Sequence, residues 1–158
     1  MSFTVECASV GKEAADALSA LHHESFTDAP WSGKAIAGLL TLKTSRNVTV
    51  SVENELAGFA IATNTGEEIE LLTIAIAPRF RGRSLAGTLL AELDREAFRE
   101  DATRWLLEVA EDNVSALKLY EKCGFRPFSR RKDYYKRQGA ISADALMMDA
   151  KVGAIHRE

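Results

Sequence analysis

The sequence predicts a mixed α/β domain built around one β-sheet, because helical and extended patterns alternate along its 158 residues. Residues 71–76 (Leu-Leu-Thr-Ile-Ala-Ile) are apolar on both faces, the mark of a central strand covered on both sides. Directly after them, Leu85, Leu89 and Leu93 fall on one helical stripe.

The elements follow in order. Residues 3–8 predict a short strand, and residues 12–24 a helix with Ala14, Ala17, Leu18 and Leu21 at helical spacing. Pro30-Trp31-Ser32 ends a loop, and Ser32 can cap a second helix running to Leu42. Residues 47–52 alternate and are rich in valine, which predicts a strand. Glu53-Asn54-Glu55 then turns the chain into a strand over 56–63. Asn64-Thr65-Gly66 is a second turn, leading into a long strand over 68–77 that Pro78 stops. A helix over 85–99 and a buried strand over 104–110 come next. Asp112 or Asn113 caps a helix that carries Ala116, Leu119, Tyr120 and Cys123 on one face, and Gly124 closes it. Residues 125–129 and 142–149 are the last strands, joined by a charged, tyrosine-containing loop.

This length fits one domain, residues 1–150, followed by a tail over 151–158 that is expected to fray. Apolar residues make up 46% and charged residues 27%, the mixture of an ordinary soluble globular chain. A net charge of −3 provides no global field toward nucleic acid or an anionic membrane, so neither is expected as a partner. Two local clusters, Arg79/Arg81/Arg83 and Arg130/Arg131/Lys132, suit a small anionic ligand better. Cys7 and Cys123 form neither a CxxC pair nor a disulfide framework, which points to a reducing, cytoplasmic setting. No basic-then-apolar leader is visible, and no stretch approaches the ~18 apolar residues of a membrane span.

The stretch over residues 73–90 carries the chemistry. A buried strand runs through Pro78 into Arg79-Phe80-Arg81-Gly82-Arg83-Ser84-Leu85-Ala86-Gly87 and then a helix. Small residues at 82, 84, 86 and 87 allow close approach to the backbone, and a helix start offers unpaired N–H groups. Flanked by arginines, this is an anion site suited to a pyrophosphate. The competing reading is a solvated strand-to-helix turn. The sequence contains no GxxxxGK[ST], which counts against an NTPase, and no GxGxxG followed by a ribose-binding acid, which counts against a dinucleotide enzyme.

Residues 72–78 (Leu-Thr-Ile-Ala-Ile-Ala-Pro) followed by Arg81-x-x-Ser84-x-Ala86 resemble the acetyl-CoA-binding motif of the GNAT superfamily, Q/R-x-x-G-x-G/A. Asn113-x-x-Ala116-x-x-Leu119-Tyr120-x-x-x-Gly124-Phe125 resembles the second signature of that superfamily. Within it, the chain is most similar to the RimI type, the ribosomal-protein-alanine N-acetyltransferases. The likeness runs through Pro30-Trp31-Ser32, Leu107-Glu108-Val109, Arg131-Lys132-Asp133-Tyr134-Tyr135 and Asp144-Ala145-Leu146-Met147-Met148. It spans residues 26–149.

This resemblance implies a GNAT-like fold, a mostly antiparallel mixed sheet of about seven strands flanked by about four helices. It implies acetyl-CoA as co-substrate without a metal, and acetyl transfer to a primary amine by direct attack in a ternary complex. The implied acceptor is first of all the N-terminal α-amine of a protein, such as the N-terminal alanine of a ribosomal protein. A small-molecule amine and a non-catalytic acyl-CoA-binding module are the alternatives, and a monomer or dimer is implied. Cofactor contacts are implied at Ile74, Ala75, Ile76, Arg81, Gly82, Arg83, Ser84, Leu85, Ala86, Gly87 and Asn113. The backbone N–H of Ile76 would polarise the thioester carbonyl. Ser84 departs from the family's loop glycine, and it can present its N–H if its φ is negative.

Glu108, at the end of an apolar strand, is the candidate general base; pairing with Arg104 or a nearby lysine is its alternative role. Tyr120 is the candidate general acid, and its alternative is core packing beside Ala116 and Leu119. Asn113 either holds the cofactor arm or caps its helix. Trp31, Tyr134 and Tyr135 are candidate acceptor-side residues. Cys123 has no histidine placed to activate it and reads as a small core hydrophobe. His22-His23-Glu24 has no third ligand at zinc-like spacing and reads as a solvated helix end.

Overall fold

The structure is a computed structural model describing residues 4–26, 31–135 and 142–156. The expectations for Phe3, Pro30, Arg157 and Glu158 lie outside the described residues.

The elements are β1 (Val5–Ala8), α1 (Ala15–Ser25), α2 (Gly33–Leu40), β2 (Ser45–Val52), β3 (Glu55–Asn64), β4 (Glu68–Ile76), α3 (Leu85–Arg99), β5 (Arg104–Ala110), α4 (Val114–Lys122), β6 (Arg126–Tyr135) and β7 (Ala143–Lys151). Short 3-10 turns at Lys12–Ala14 and Pro78–Phe80 precede α1 and follow β4. The described strands form one sheet in the order β1-β2-β3-β4-β5-β7-β6. Every pairing is antiparallel except that between β4 and β5. No described helix is long and apolar enough to cross a membrane.

Local chemistry accounts for the boundaries. Glu53 and Asn54 both take positive φ, the requirement of a tight hairpin turn matched to strand twist, and so join β2 to β3. Ser32 caps α2, its hydroxyl accepting the N–H of Ala35 at 3.1 Å. Asn113, rather than Asp112, caps α4: its Oδ1 accepts the N–H of Ala116 at 3.3 Å. The helix ends in a Schellman pattern, with the Phe125 N–H on the Tyr120 carbonyl and the Gly124 N–H on that of Glu121. Gly124 supplies the positive φ of 99° this closure needs.

The sheet is splayed at its centre. β4 and β5 pair only through Glu68↔Arg104, Ile69↔Trp105 and Glu70↔Leu106. Beyond that point β4 stays with β3 as far as Ile76, and β5 stays with β7 as far as Ala110. The β3–β4 register runs Ala62↔Leu71 and then Ile61↔Thr73, leaving Leu72 as an extra residue. Such a bulge bends the strand and increases its local twist, turning β4 away from β5.

The core includes Trp105, Phe59, Phe125, Leu89, Leu90 and Leu93, all fully buried. Asp94 of α3 bonds Trp105, and the rings of Trp105, Phe125 and Tyr120 follow edge to face. Both α3 and α4 therefore lie on the Trp105 face of the sheet. Side chains alternate along β5, so Leu106 and Glu108 belong to the other face.

Three expectations are corrected. The second half of β4 is not covered on both sides: Leu72, Ile74 and Ile76 remain half-exposed, because the bulge and splay open that region. The strand expected over 125–129 continues to Tyr135; it is an edge strand, exposed at nearly every position, so no alternation marks it in sequence. Residues 152–156 do not fray. Val152 is buried, and the N–H groups of Gly153, Ile155 and His156 all donate to the Asp94 carboxylate.

Candidate active site

Ile76 stands on the β4 side of the opening between β4 and β5, and Glu108 on its β5 side. The Ala77 N–H donates to the Ala57 carbonyl at 2.8 Å. Donor directions alternate along a strand, so the main-chain groups of Ile76 face the other way, into the opening. The Ile76 carbonyl there accepts the Ser25 hydroxyl at 3.2 Å and Arg81 Nε at 3.1 Å. Gly58 lies opposite Ile76, where a Cβ would sit 2.7 Å from the Ala75 carbonyl oxygen.

After Pro78–Phe80 the chain reaches the start of α3. The N–H groups of residues 84–87 make no main-chain hydrogen bond among the described residues; the first in the helix is Thr88 to the Ser84 carbonyl. Four unbonded donors at the positive end of a helix dipole form an anion cradle. Ser84 corrects the condition of a negative φ for presenting its N–H: it stands at φ 60°, ψ 23°, the left-handed region, with no side-chain capping bond, and its N–H is unbonded among the described residues all the same. A serine tolerates that conformation at a cost of about 1–2 kcal/mol. Gly82 precedes it at φ 81°.

The arginines divide. Arg79 is engaged by Glu55 and Glu24 rather than held for a ligand. Arg81 reaches back to Ile76, and Arg83 lies over the Phe80 ring, 5.4 Å from its centroid.

Glu108 sits beyond the splay, opposite Met147 of β7, with its side chain 20% exposed. The expected alternative pairing with Arg104 does not occur, since Arg104 is held by Asp149 and Glu68. The Tyr135 hydroxyl donates to Glu108 Oε1 at 3.5 Å, a long contact, and Arg131 Nη1 lies 3.8 Å from Oε2. Two residues of β6 therefore face the candidate base, and one of them is a candidate acceptor-side tyrosine.

Tyr120 is buried and packs edge to face on Phe125, with centroids 5.8 Å apart. Its hydroxyl has no hydrogen-bond partner among the described residues. Burial, with smaller contributions from Cys123 and Tyr135, pushes its pKa above the ordinary phenol value. The phenol thus stays neutral and presents a donor. The packing reading holds for the ring, and its oxygen makes no hydrogen bond among the described residues. Cys123, half-buried, is likewise kept as a thiol by burial above all.

At the end of α1, His23 and Glu24 are exposed as expected, but the solvated reading is corrected for His22. His22 is 3% exposed and stacks on Trp31 at 5.2 Å between centroids. Its place was legible in spacing, because Ala15, Leu18, Ser19 and His22 make one buried stripe. Ser25 was also missed, and Arg131 was read only as part of a basic cluster; both make contacts across the fold, which no local pattern announces. Tyr134 is exposed beneath the Arg131 guanidinium, 5.0 Å from its ring centroid, and stands edge to face with Tyr135.

Known proteins are similar to this chain in sequence and fold. Residues 12–125 match the family model described as Acetyltransferase (GNAT) family. The ribosomal protein bS18-alanine N-acetyltransferase of Salmonella typhimurium is 36% identical over 107 residues, covering 67% of this chain and 71% of that protein. Its namesake from Escherichia coli K12 is 34% identical over 128 residues, 78% and 83% of the two chains. The crystal structure of the ribosomal-protein-S18-alanine N-acetyltransferase from Escherichia coli superposes with a TM-score of 0.87 at 26% identity, over 94% of each chain.

Proposed function

The chain belongs to the Acetyltransferase (GNAT) family, and we propose that it moves acetyl from acetyl-CoA to the N-terminal α-amine of a protein, in the first place the N-terminal alanine of a ribosomal protein. The observation that supports this reading is the splay of β4 from β5 after Glu70 and Leu106, together with the unbonded N–H groups of residues 84–87 at the start of α3, the helix that follows β4. The relatives are named as ribosomal protein bS18-alanine N-acetyltransferases, which supports the acceptor. The cytoplasm, where acetyl-CoA and ribosomal proteins meet, is the proposed setting.

In this reading the amides at 84–87 and Arg81 hold the pyrophosphate, and Asn113 holds the cofactor arm. The Ile76 N–H, facing the opening, polarises the thioester carbonyl. The acceptor amine attacks the carbonyl carbon: a C–N bond forms, the C–S bond breaks, and the amine proton passes to Glu108 through water. An α-amine loses its proton near pH ~8, more readily than a lysine side chain near ~10.4, so one carboxylate suffices. Tyr120 faces the departing sulfur. Its raised pKa makes it a weaker acid than a thiol, so its first contribution is hydrogen-bond donation to the developing thiolate.

The test is thiol release from acetyl-CoA with peptides that differ in their first residue, beside free amino acids and polyamines. Release with Ala- or Ser-starting peptides supports the proposal. Release with small amines alone moves the activity to a small-molecule acceptor, and none at all leaves an acyl-CoA-binding module.

A further inference from the structure

Helix α1 grips both main-chain polar groups of Trp31. The Ser19 hydroxyl donates to the Trp31 carbonyl at 2.9 Å, and His22 Nδ1 accepts the Trp31 N–H at 3.0 Å. The imidazole lies nearly parallel to the indole, 19° between planes, with Phe26 and Phe59 around it at 4.5 and 6.3 Å. One turn on, Ser25 donates to the Ile76 carbonyl at the mouth of the opening. A single helix thus ties a half-exposed tryptophan to the strand end where transfer takes place.

We propose that His22 is a positioning residue, whose bare Nδ1 and flat ring fix Trp31 as the aromatic surface against which the first side chains of the acceptor peptide rest. The inference builds on the proposed function, and in particular on Trp31 as an acceptor contact. The hydrogen bond dictates the tautomer. Nδ1 must keep its lone pair, so the ring proton sits on Nε2, and a doubly protonated ring would set N–H against N–H. Burial, then the neighbouring His23, lowers the pKa of His22, so the neutral form holds through the neutral range. Among the described residues, Phe26, Trp31 and Phe59, which face it, are uncharged; Glu24, further along α1, is engaged by Arg79.

The experiment compares His22→Phe, which keeps an aromatic ring without the acceptor, with His22→Asn, whose Oδ1 can replace Nδ1. The measurements are kcat and separate KM values for an Ala-starting peptide and for acetyl-CoA. The loss of one hydrogen bond predicts a three- to tenfold higher peptide KM for His22→Phe, roughly, with kcat and the acetyl-CoA KM within about twofold. His22→Asn should restore part of the peptide KM. Corrected for protonation of the peptide's own α-amine, peptide KM in the unaltered protein should rise only as pH falls well below the ordinary imidazole value of about 6.5, and His22→Phe should flatten that rise. A purely structural role would lower melting temperature and move all constants together, with no recovery by Asn, and that overturns the proposal. Trp31→Ala separates the levels. If it raises peptide KM while His22→Phe does not, the positioning role is wrong; if it leaves peptide KM unchanged, Trp31 is no acceptor contact. Should neither variant fold, a peptide KM that, corrected for protonation of the α-amine, stays flat down to the pH at which the protein unfolds also overturns it.

Discussion

Glu70 of β4 and Leu106 of β5 are the last partners of a three-pair parallel ladder, and past them the two strands diverge. The divergence is built into β4, where the unpaired Leu72 bends the strand while β3 keeps its hold up to Ile76. The floor of the opening is therefore a feature of strand pairing, not of loop placement.

Gly58 guards that strand end. A Cβ there meets the Ala75 carbonyl oxygen at 2.7 Å and Ile76 Cδ1 at 2.5 Å. The side-chain atom can swing away, but the carbonyl belongs to the ladder. We expect Gly58→Ala to cost about 1–3 kcal/mol of stability, and to weaken acetyl-CoA binding by displacing Ile76. Denaturant unfolding and calorimetric titration check both.

Glu108→Gln keeps the shape but removes the proposed base. Turnover should fall by about 10²–10⁴-fold while acetyl-CoA affinity holds. Tyr120→Phe should preserve the packing on Phe125 and lose part of the turnover. Activity of either variant equal to that of the parent chain, at equal melting temperature, removes that residue from the mechanism.

At the start of α3, Ser84 pays a backbone penalty that glycine avoids. Relief of about 1–2 kcal/mol is offset by the ~0.5–1 kcal/mol entropy cost of glycine. Ser84→Gly should therefore raise stability slightly and leave the cradle intact. Ser84→Val, a β-branched residue at positive φ, should lower both stability and acetyl-CoA affinity. Thermal melts with and without acetyl-CoA distinguish these outcomes, and a stable, tight-binding Ser84→Val would contradict the strain argument.

The same residues mark how far sequence reading reaches. Elements with clear periodicity, such as α3 with its Leu85, Leu89 and Leu93 stripe, were legible, and so was the Asn113 cap. β6 was read short because an edge strand exposed on both faces has no alternation to see. The φ of Ser84 is set by how the chain must enter α3, and serine itself signals nothing of it. The splay depends on a register shift between β3 and β4, which neither strand shows alone. Glu108 and Tyr120 stood out through resemblance, whereas the partners of Glu108 on β6 are products of tertiary structure.

Asp94 shows most clearly what the sequence conceals, since a carboxylate inside a leucine stripe gives no hint of its five partners. It is 0% exposed. Oδ1 accepts Trp105 Nε1–H at 2.8 Å and the Gly153 N–H at 3.0 Å. Oδ2 accepts the N–H groups of Ile155 and His156 at 3.0 and 2.9 Å, and lies 2.6 Å from His156 Nδ1. Burial alone would raise its pKa, but the Gly153 and His156 N–H groups, with Trp105 and the His156 ring, hold it below the ordinary carboxylate value. A group whose folded pKa is depressed stabilises the fold above its unfolded pKa, near ~3.9, and loses that contribution as pH falls through the folded value. Asp94→Ala strands several buried donors and should cost about 3 kcal/mol or more near pH 7. Truncation after residue 152 should reproduce part of this loss, because it removes three N–H donors and the His156 ring. The stability gap between parent and Asp94→Ala should narrow as unfolding is measured from about pH 5 downward. A gap that stays constant to pH 2 would mean that the charge on Asp94 contributes nothing, and that the tail is held by packing alone.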